Sequence, residues 1–184
     1  MVKKALCYAK GTKCLMLIYR RTDSLEIEGY LDADYAGDVD ERKSTSGYIF
    51  TLAGGAISWK SSKQTITGSS TMVAEYVACY EATGQANWLK KFVPGLRVVD
   101  SIQRALRMYC DNEPAVFYAH NNKSSVAAKH INIKFYVVKE RIQNHTISLE
   151  HISTKEMLAD PLTKGLPPSV FREHLAGMGL RESL

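Results

Sequence analysis

The chain has 184 residues, 45% of them apolar, with a formal charge of +5 and a pI near 9.0. That is enough apolar material for the core of one ordinary domain, with or without appendages. The basic excess suits a polyanionic partner without identifying one. Four cysteines (Cys7, Cys14, Cys79 and Cys110) show no CxxC spacing and no nearby histidine partner, so a reduced intracellular setting is expected. Lys3 and Lys4 precede only the short apolar run CLMLIY, which reads as neither a signal peptide nor a membrane span.

In chain order, residues 1–10 read as a short helix stopped by Gly11, and CLMLIYRR as a strand turned by TDS. Residues 26–36 form a second strand. Two more, 45–52 and 56–61, are joined through Gly54-Gly55, a hairpin signal. Residues 26–61 are therefore expected to form an antiparallel meander. A long helix is predicted over about 70–92, with Ser70 as N-cap and a row of Ala74, Ala78, Ala82 and Ala86 extended by Leu89. Pro94-Gly95 ends it.

Residues 105–111 read as a strand ending at Asp111, and NEPAVFYAHN as a short helix with Pro114 in its first turn. Residues 127–143 read as an amphipathic helix whose stripe is Ile131, Phe135, Val138 and Ile142. A strand over 146–150 follows. Ser153 and Glu156 have capping-box spacing. Pro161 disfavours helical geometry at Asp160, which is placed near a helix C-terminus. A last helix is predicted over 168–177, ending in Gly177 and Gly179. The fold class is thus α/β, a three-strand antiparallel meander extended by two strands reached through helical connections.

Charge is unevenly spread. Residues 26–41 carry Glu26, Glu28, Asp32, Asp34, Asp38, Asp40 and Glu41 with no basic residue, whereas 121–144 carry Lys123, Lys129, Lys134, Lys139 and Arg141 against Glu140. In GYLDADYAGD, Asp32 and Asp34 share one face of a strand, where like charges repel and need compensation. Glu75 lies early in the long helix beside its alanine row, as a dipole partner or a functional acid. Asp111 ends an apolar strand, where it can cap the next helix through amides near Glu113 and Pro114 or face a crevice. Asp160 is open to reading as a surface acid. Together they are carboxylates on separate elements that can converge.

The segments GYLDADYAGD, RKSTSGYIF, ISWKSSKQ, SSTMVAEYVA, MYCDNEPAV, KHINIKFYVVKERI and EHISTKEMLADPLTKGL occur in that order. Over about 26–180 the chain resembles the ribonuclease H domain of copia-type LTR retrotransposon polyproteins. Residues 1–25 look like the end of a connection following a polymerase, 26–164 like the ribonuclease H-like domain, and 165–184 like a helical tail. The resemblance implies a five-stranded mixed sheet flanked by helices. It also implies catalytic, metal-binding acids at Asp32, Glu75, Asp111 and Asp160; it selects Asp32 over Asp34, leaving Asp34 a structural part.

His151 corresponds to a histidine that assists proton transfer or product release, with packing at a strand end as the plainer alternative. The implied cofactor is a pair of Mg²⁺ ions, with Mn²⁺ as a substitute, which suit oxygen ligands and phosphodiester hydrolysis. The implied substrate is the RNA strand of an RNA/DNA hybrid, read by shape and 2′-hydroxyls.

Ser62, Lys63, Gln64 and Ser70 in SSKQTITGSS, and Lys129, Lys134, Lys139 and Arg141 on the amphipathic helix, are the expected contacts to its backbone. A reverse transcriptase domain, in cis or in trans, is the implied protein partner, with no membrane and no small-molecule cofactor. The implied location is the cytoplasm or a virus-like particle. Val73 and Asn132 stand where relatives usually carry acids. The alternative to an enzyme is an inactive nucleic-acid-binding or structural remnant of a decayed element.

Overall fold

The computed structural model describes residues 6, 9–22, 25–38, 40–96, 104–121 and 129–182, with side chains from 133 onward in the last stretch. The helix expected over 1–10 lies mostly outside these residues. What is described of it, residue 6 and then 9 and 10, is helical, and the helix continues through Gly11 to residue 12 rather than stopping there.

Five strands build the main sheet: β2 (Glu28–Asp34), β3 (Thr45–Leu52), β4 (Gly55–Lys63), β5 (Leu106–Cys110) and β6 (Ile147–His151), in the order β4-β3-β2-β5-β6. The meander is antiparallel, and β5 and β6 add in parallel through helical crossovers. This is the mixed sheet expected from the sequence. The β3–β4 turn sits one residue earlier than expected. Ala53 and Gly54 both have positive φ (53° and 73°), as a two-residue type I′ turn requires, and Gly55 belongs to β4.

Helix α1 (Thr71–Gly95) covers one face of the sheet. Ser70 caps it, its hydroxyl accepting from Val73 N at 3.3 Å, which contributes about 1 kcal/mol. Ala74, Ala78, Ala82 and Ala86 are at most 1% exposed. Their small side chains let α1 lie close over Leu31, Phe50 and Met108 in the main core. Helices α2 (Glu113–His120) and α3 (Lys129–Gln143) pack beside it, and α3 docks through Phe135 on Tyr76, ring centroids 4.2 Å apart. Asn112, not Asp111, caps α2, its Oδ1 accepting from Ala115 N at 2.9 Å.

Alternation along β3 sends Tyr48 and Phe50 to this core and Ile49 to a second one on the opposite face. There Ile49, Ala56, Met157 and Ala159 meet Leu175 and Met178. The last two flank the end of α5 (Pro168–Gly177), the expected tail helix. Between β6 and α5 lie a 3₁₀ turn (Thr154–Glu156) and the short α4 (Asp160–Thr163). The predicted capping box does not form, because Ser153 engages Glu156 through backbone alone. Asp160 opens α4 instead of closing a helix, with Pro161 in the first turn, where its missing N–H costs nothing.

The apolar run after Cys14 contributes only β1 (Leu15–Leu17), which pairs antiparallel with a strand the sequence did not announce, β7 (Leu180–Glu182). Ile18 N donates to Gly179 O at 2.9 Å, Arg20 N to Ala53 O at 2.8 Å and Ala56 N to Met178 O at 2.9 Å. The β3–β4 hairpin is thereby held between the early segment and the tail. Gly179, at φ +87°, has no room for a Cβ, which would lie 2.6 Å from Gly54 O. Among the described residues no helix is long and apolar enough to cross a membrane.

Candidate active site

Parallel pairing of β2 with β5 sets Leu31 opposite Cys110, so the residues that follow, Asp32 and Asp111, emerge together where the two strands end. Glu75 reaches the same place from the second turn of α1, and Asp160 from the start of α4. α4 can come this near because Gly47 pairs with Asp32 across β3 and has no side chain.

One oxygen each from Asp32, Asp111 and Asp160 lie within 4.8 Å of one another, and the same holds for ligand atoms of Glu75, Cys110 and Asp111. The two groups share Asp111, so the four acids named from the sequence do converge. Asp32, Glu75 and Asp160 are 1%, 3% and 4% exposed, while Asp111 is half-buried at the rim. Asp34 belongs to neither group, and its carboxylate packs over Gly37.

Asp32, Asp111 and Asp160 each meet polar neighbours. Thr163 Oγ1 donates to Asp32 Oδ2. Thr154 Oγ1 donates to Asp111 Oδ2 at 3.0 Å. His151 is exposed, with Nε2 3.2 Å from Asp111 O. Lys164 Nζ lies 3.6 Å from Asp32 Oδ1 and 3.1 Å from Asp160 Oδ1, while Asp160 Oδ1 lacks an aligned hydrogen-bond donor. The sequence motifs do not single out Thr154, Thr163 or Lys164. Only Lys164 left a trace in the sequence, four residues after Asp160, where an i,i+4 ion pair forms.

Burial, reinforced by Asp32 and Asp111, pushes Glu75 up to about 9. Burial and Asp32 push Asp160 up to about 6. Asp32 also rises on burial, with Thr163 and Lys164 offsetting part of the shift. Burial works against the charge of Lys164, yet Asp32 and Asp160 hold its ammonium above the ordinary value. These carboxylates are withdrawn from solvent and repel one another, so a positive charge among them would stabilise their ionised forms.

The donor set fits hard divalent cations: several carboxylates from rigid elements, one with an oxygen short of a donor. Asp32, Glu75, Asp111 and Asp160 are the residues that would hold them. Cys110 Sγ lies beside Glu75 and Asp111, but a soft sulfur donor suits hard cations poorly, and burial pushes the ionisation of its thiol well up.

The expected nucleic-acid contacts fall outside this cluster. Ser62 donates to Glu81 Oε2 at 3.2 Å, and Lys63 pairs with Asp38. Gln64 is 1% exposed and corrects its expected role: Nε2 donates to Ser46 Oγ at 2.8 Å and Ala74 O at 2.9 Å, bracing the sheet against α1. Ser70 is committed to its cap. Lys134 lies over the Tyr80 ring, and Lys139 lies over Tyr118 and donates to Asn121 O at 2.7 Å. Arg141 is half-buried near the end of α3; the side chain of Lys129 and all of Lys123 lie outside the described residues.

No family model matches the chain. It is 38% identical over 179 residues to a retrovirus-related Pol polyprotein from transposon TNT 1-94 of Nicotiana tabacum, covering 96% of this chain and 13% of that one. It is 31% identical over 179 residues to the Pol polyprotein from transposon RE1 of Arabidopsis thaliana, covering 97% of this chain and 12% of that one. The chain thus spans about an eighth of these relatives.

Among solved structures it is similar to LC11-RNase H1 in complex with an RNA/DNA hybrid. The TM-score is 0.54 and the identity 20%, over 75% of this chain and 94% of that one. The RNase H domain of PFV gives a TM-score of 0.51 at 16% identity, over 76% of this chain and 93% of that one. At these identities the structures bear on the fold alone.

Proposed function

We propose that this chain, whose fold is RNase H-like and whose sequence is related to part of the Pol polyproteins of LTR retrotransposons, hydrolyses the RNA strand of RNA/DNA hybrids. The observation that carries the reading is the meeting of Asp32, Glu75, Asp111 and Asp160 from four different elements. In this reading residues 26–164 carry the chemistry, and the early segment and tail brace it. A reverse transcriptase domain is the proposed neighbour in the longer polyprotein, and the proposed setting is intracellular.

Two bound Mg²⁺ ions, or Mn²⁺, would supply an activated water and charge neutralisation at the scissile phosphate and leaving 3′ oxygen. The chain's own part is to hold the carboxylates in place. Thr163 orients Asp32, and Thr154 orients Asp111. Pro161 and the first turn of α4 fix Asp160. His151, exposed with Nε2 near Asp111 O, is the proposed proton carrier between the leaving group and water.

The hybrid is distinguished by the width of its minor groove and by its 2′-hydroxyls. Contacts to it fall to exposed Thr65, Thr67 and Ser69 rather than to buried Gln64. Lys134 and Lys139, off the apolar stripe of α3, support the backbone electrostatically.

The test is cleavage of an end-labelled hybrid with Mg²⁺ or Mn²⁺, beside Asp111→Asn. Cleavage by the native chain that the substitution abolishes is the expected result. Hybrid binding without cleavage at any cation concentration would establish the other reading, a non-catalytic binding domain.

A further inference from the structure

Lys164 ends α4, its backbone N–H donating to Asp160 O at 3.1 Å. That last turn folds the side chain back over the acids. Its ammonium stands 3.1 Å from Asp160 Oδ1 and 3.6 Å from Asp32 Oδ1, bridging carboxylates that are themselves about 5% and 2% exposed. Among the described residues these are the only ion pairs that Asp32 and Asp160 make. The lysine side chain keeps 34% of its surface in water, so it has a way out that needs no backbone movement. A lysine is a compact point charge on a flexible four-carbon stem, suited to reversible occupancy.

Resting on the metal-dependent reading above, we propose that Lys164 is a tethered placeholder cation. It neutralises Asp32 and Asp160 while no divalent ion is bound, and it must leave their oxygens as one binds. An ammonium and a divalent cation on the same two carboxylates would repel strongly at such separations. Apparent cation affinity is then set by competition with a charge the chain itself supplies, and the ion-free domain keeps its acids drawn together instead of splayed.

The test is calorimetric titration of Mn²⁺ into the wild-type chain, K164Q and K164R. K164Q is expected to bind about 3- to 10-fold more tightly and to melt at a lower temperature without metal. K164R keeps the charge and should stay near wild type. If the wild type binds Mn²⁺ and K164Q binds equally or less well, the placeholder is refuted and the metal site stands. If neither binds Mn²⁺ at millimolar concentration, the metal reading fails and the placeholder with it. A second measurement needs no variant. The ¹⁵N signal of the Lys164 ammonium, sharp in the ion-free chain, should broaden or shift when Mg²⁺ is added to a wild type that binds it; a signal unchanged at saturation overturns the proposal.

Discussion

Gly47 stands directly across from Asp32 in the β2–β3 register, and a Cβ built on it would lie 2.6 Å from Thr163 Cγ2 and 3.0 Å from Leu162 Cβ. The absence of a side chain at this one position of β3 is what allows α4 to close over the first acid. Gly47→Ala should push α4 outward, costing about 1–3 kcal/mol as overpacking. Hybrid cleavage should fall more than stability does, since Thr163, Asp160 and Lys164 move together. Urea unfolding beside a cleavage assay checks this, and a variant with full activity would show that α4 does not depend on that contact.

The ion-free chain should lose stability as pH rises. Glu75 titrates near 4.5 when unfolded and at about 9 when folded. Between those values the folded state binds the extra proton, so its advantage is complete below about 4.5 and declines toward 9. Asp160 acts the same way between 3.8 and about 6. His174, lowered mainly by burial, works oppositely, but only below its ordinary 6.5. The difference between wild type and Glu75→Gln isolates the carboxylate. The wild-type melting temperature should fall relative to the variant from pH 5 to 9, and Mg²⁺ should flatten that fall. Parallel curves would count against a raised Glu75.

Asp32→Asn removes one buried like charge while keeping an oxygen that can accept from Thr163. The ion-free variant should be more stable by about 1–2 kcal/mol, a rise of roughly 2–6 °C in melting temperature. Its Mn²⁺ affinity should drop by at least tenfold, by calorimetry. A large loss of ion-free stability would mean that the Lys164 pairing outweighs the repulsion.

Gln64→Leu should cost about 1–3 kcal/mol, because Ser46 Oγ and Ala74 O lose their buried donor. Hybrid affinity of the folded fraction should stay within about twofold of wild type. Measured together, urea stability and hybrid binding separate a brace from a duplex contact. A selective loss of binding would return Gln64 to the interface.

Elements with strong local signals were legible. The alanine row and Ser70 announced α1, the glycine pair placed the hairpin within one residue, and alternation marked the strands. The four acids came from motif order matched to a known family, because spacing alone left Asp32 and Asp34 equivalent. Local rules failed where the sequence offers more caps than the fold uses. Asn112 took the cap offered to Asp111, and Ser153 left its capping box unformed. Asp160 appeared at the wrong end of a helix because a four-residue α4 has no periodicity to read. β7 was invisible because three residues form a strand only when β1 lies beside them.

What the sequence determined by itself was the supply of parts: which acids exist, the longer helices and strands, and a mixed α/β class, the last two being consequences of periodicity and backbone preference within a few residues. Tertiary structure alone decided that Asp32 faces Asp111 through the β2–β5 register, that Gly47 opens the space for α4, and that Lys164 lies between two carboxylates. The reason is physical. Repulsion, desolvation and ion pairing act through distances of a few ångströms, and residues 32, 111 and 160 come within such distances only when the sheet is assembled.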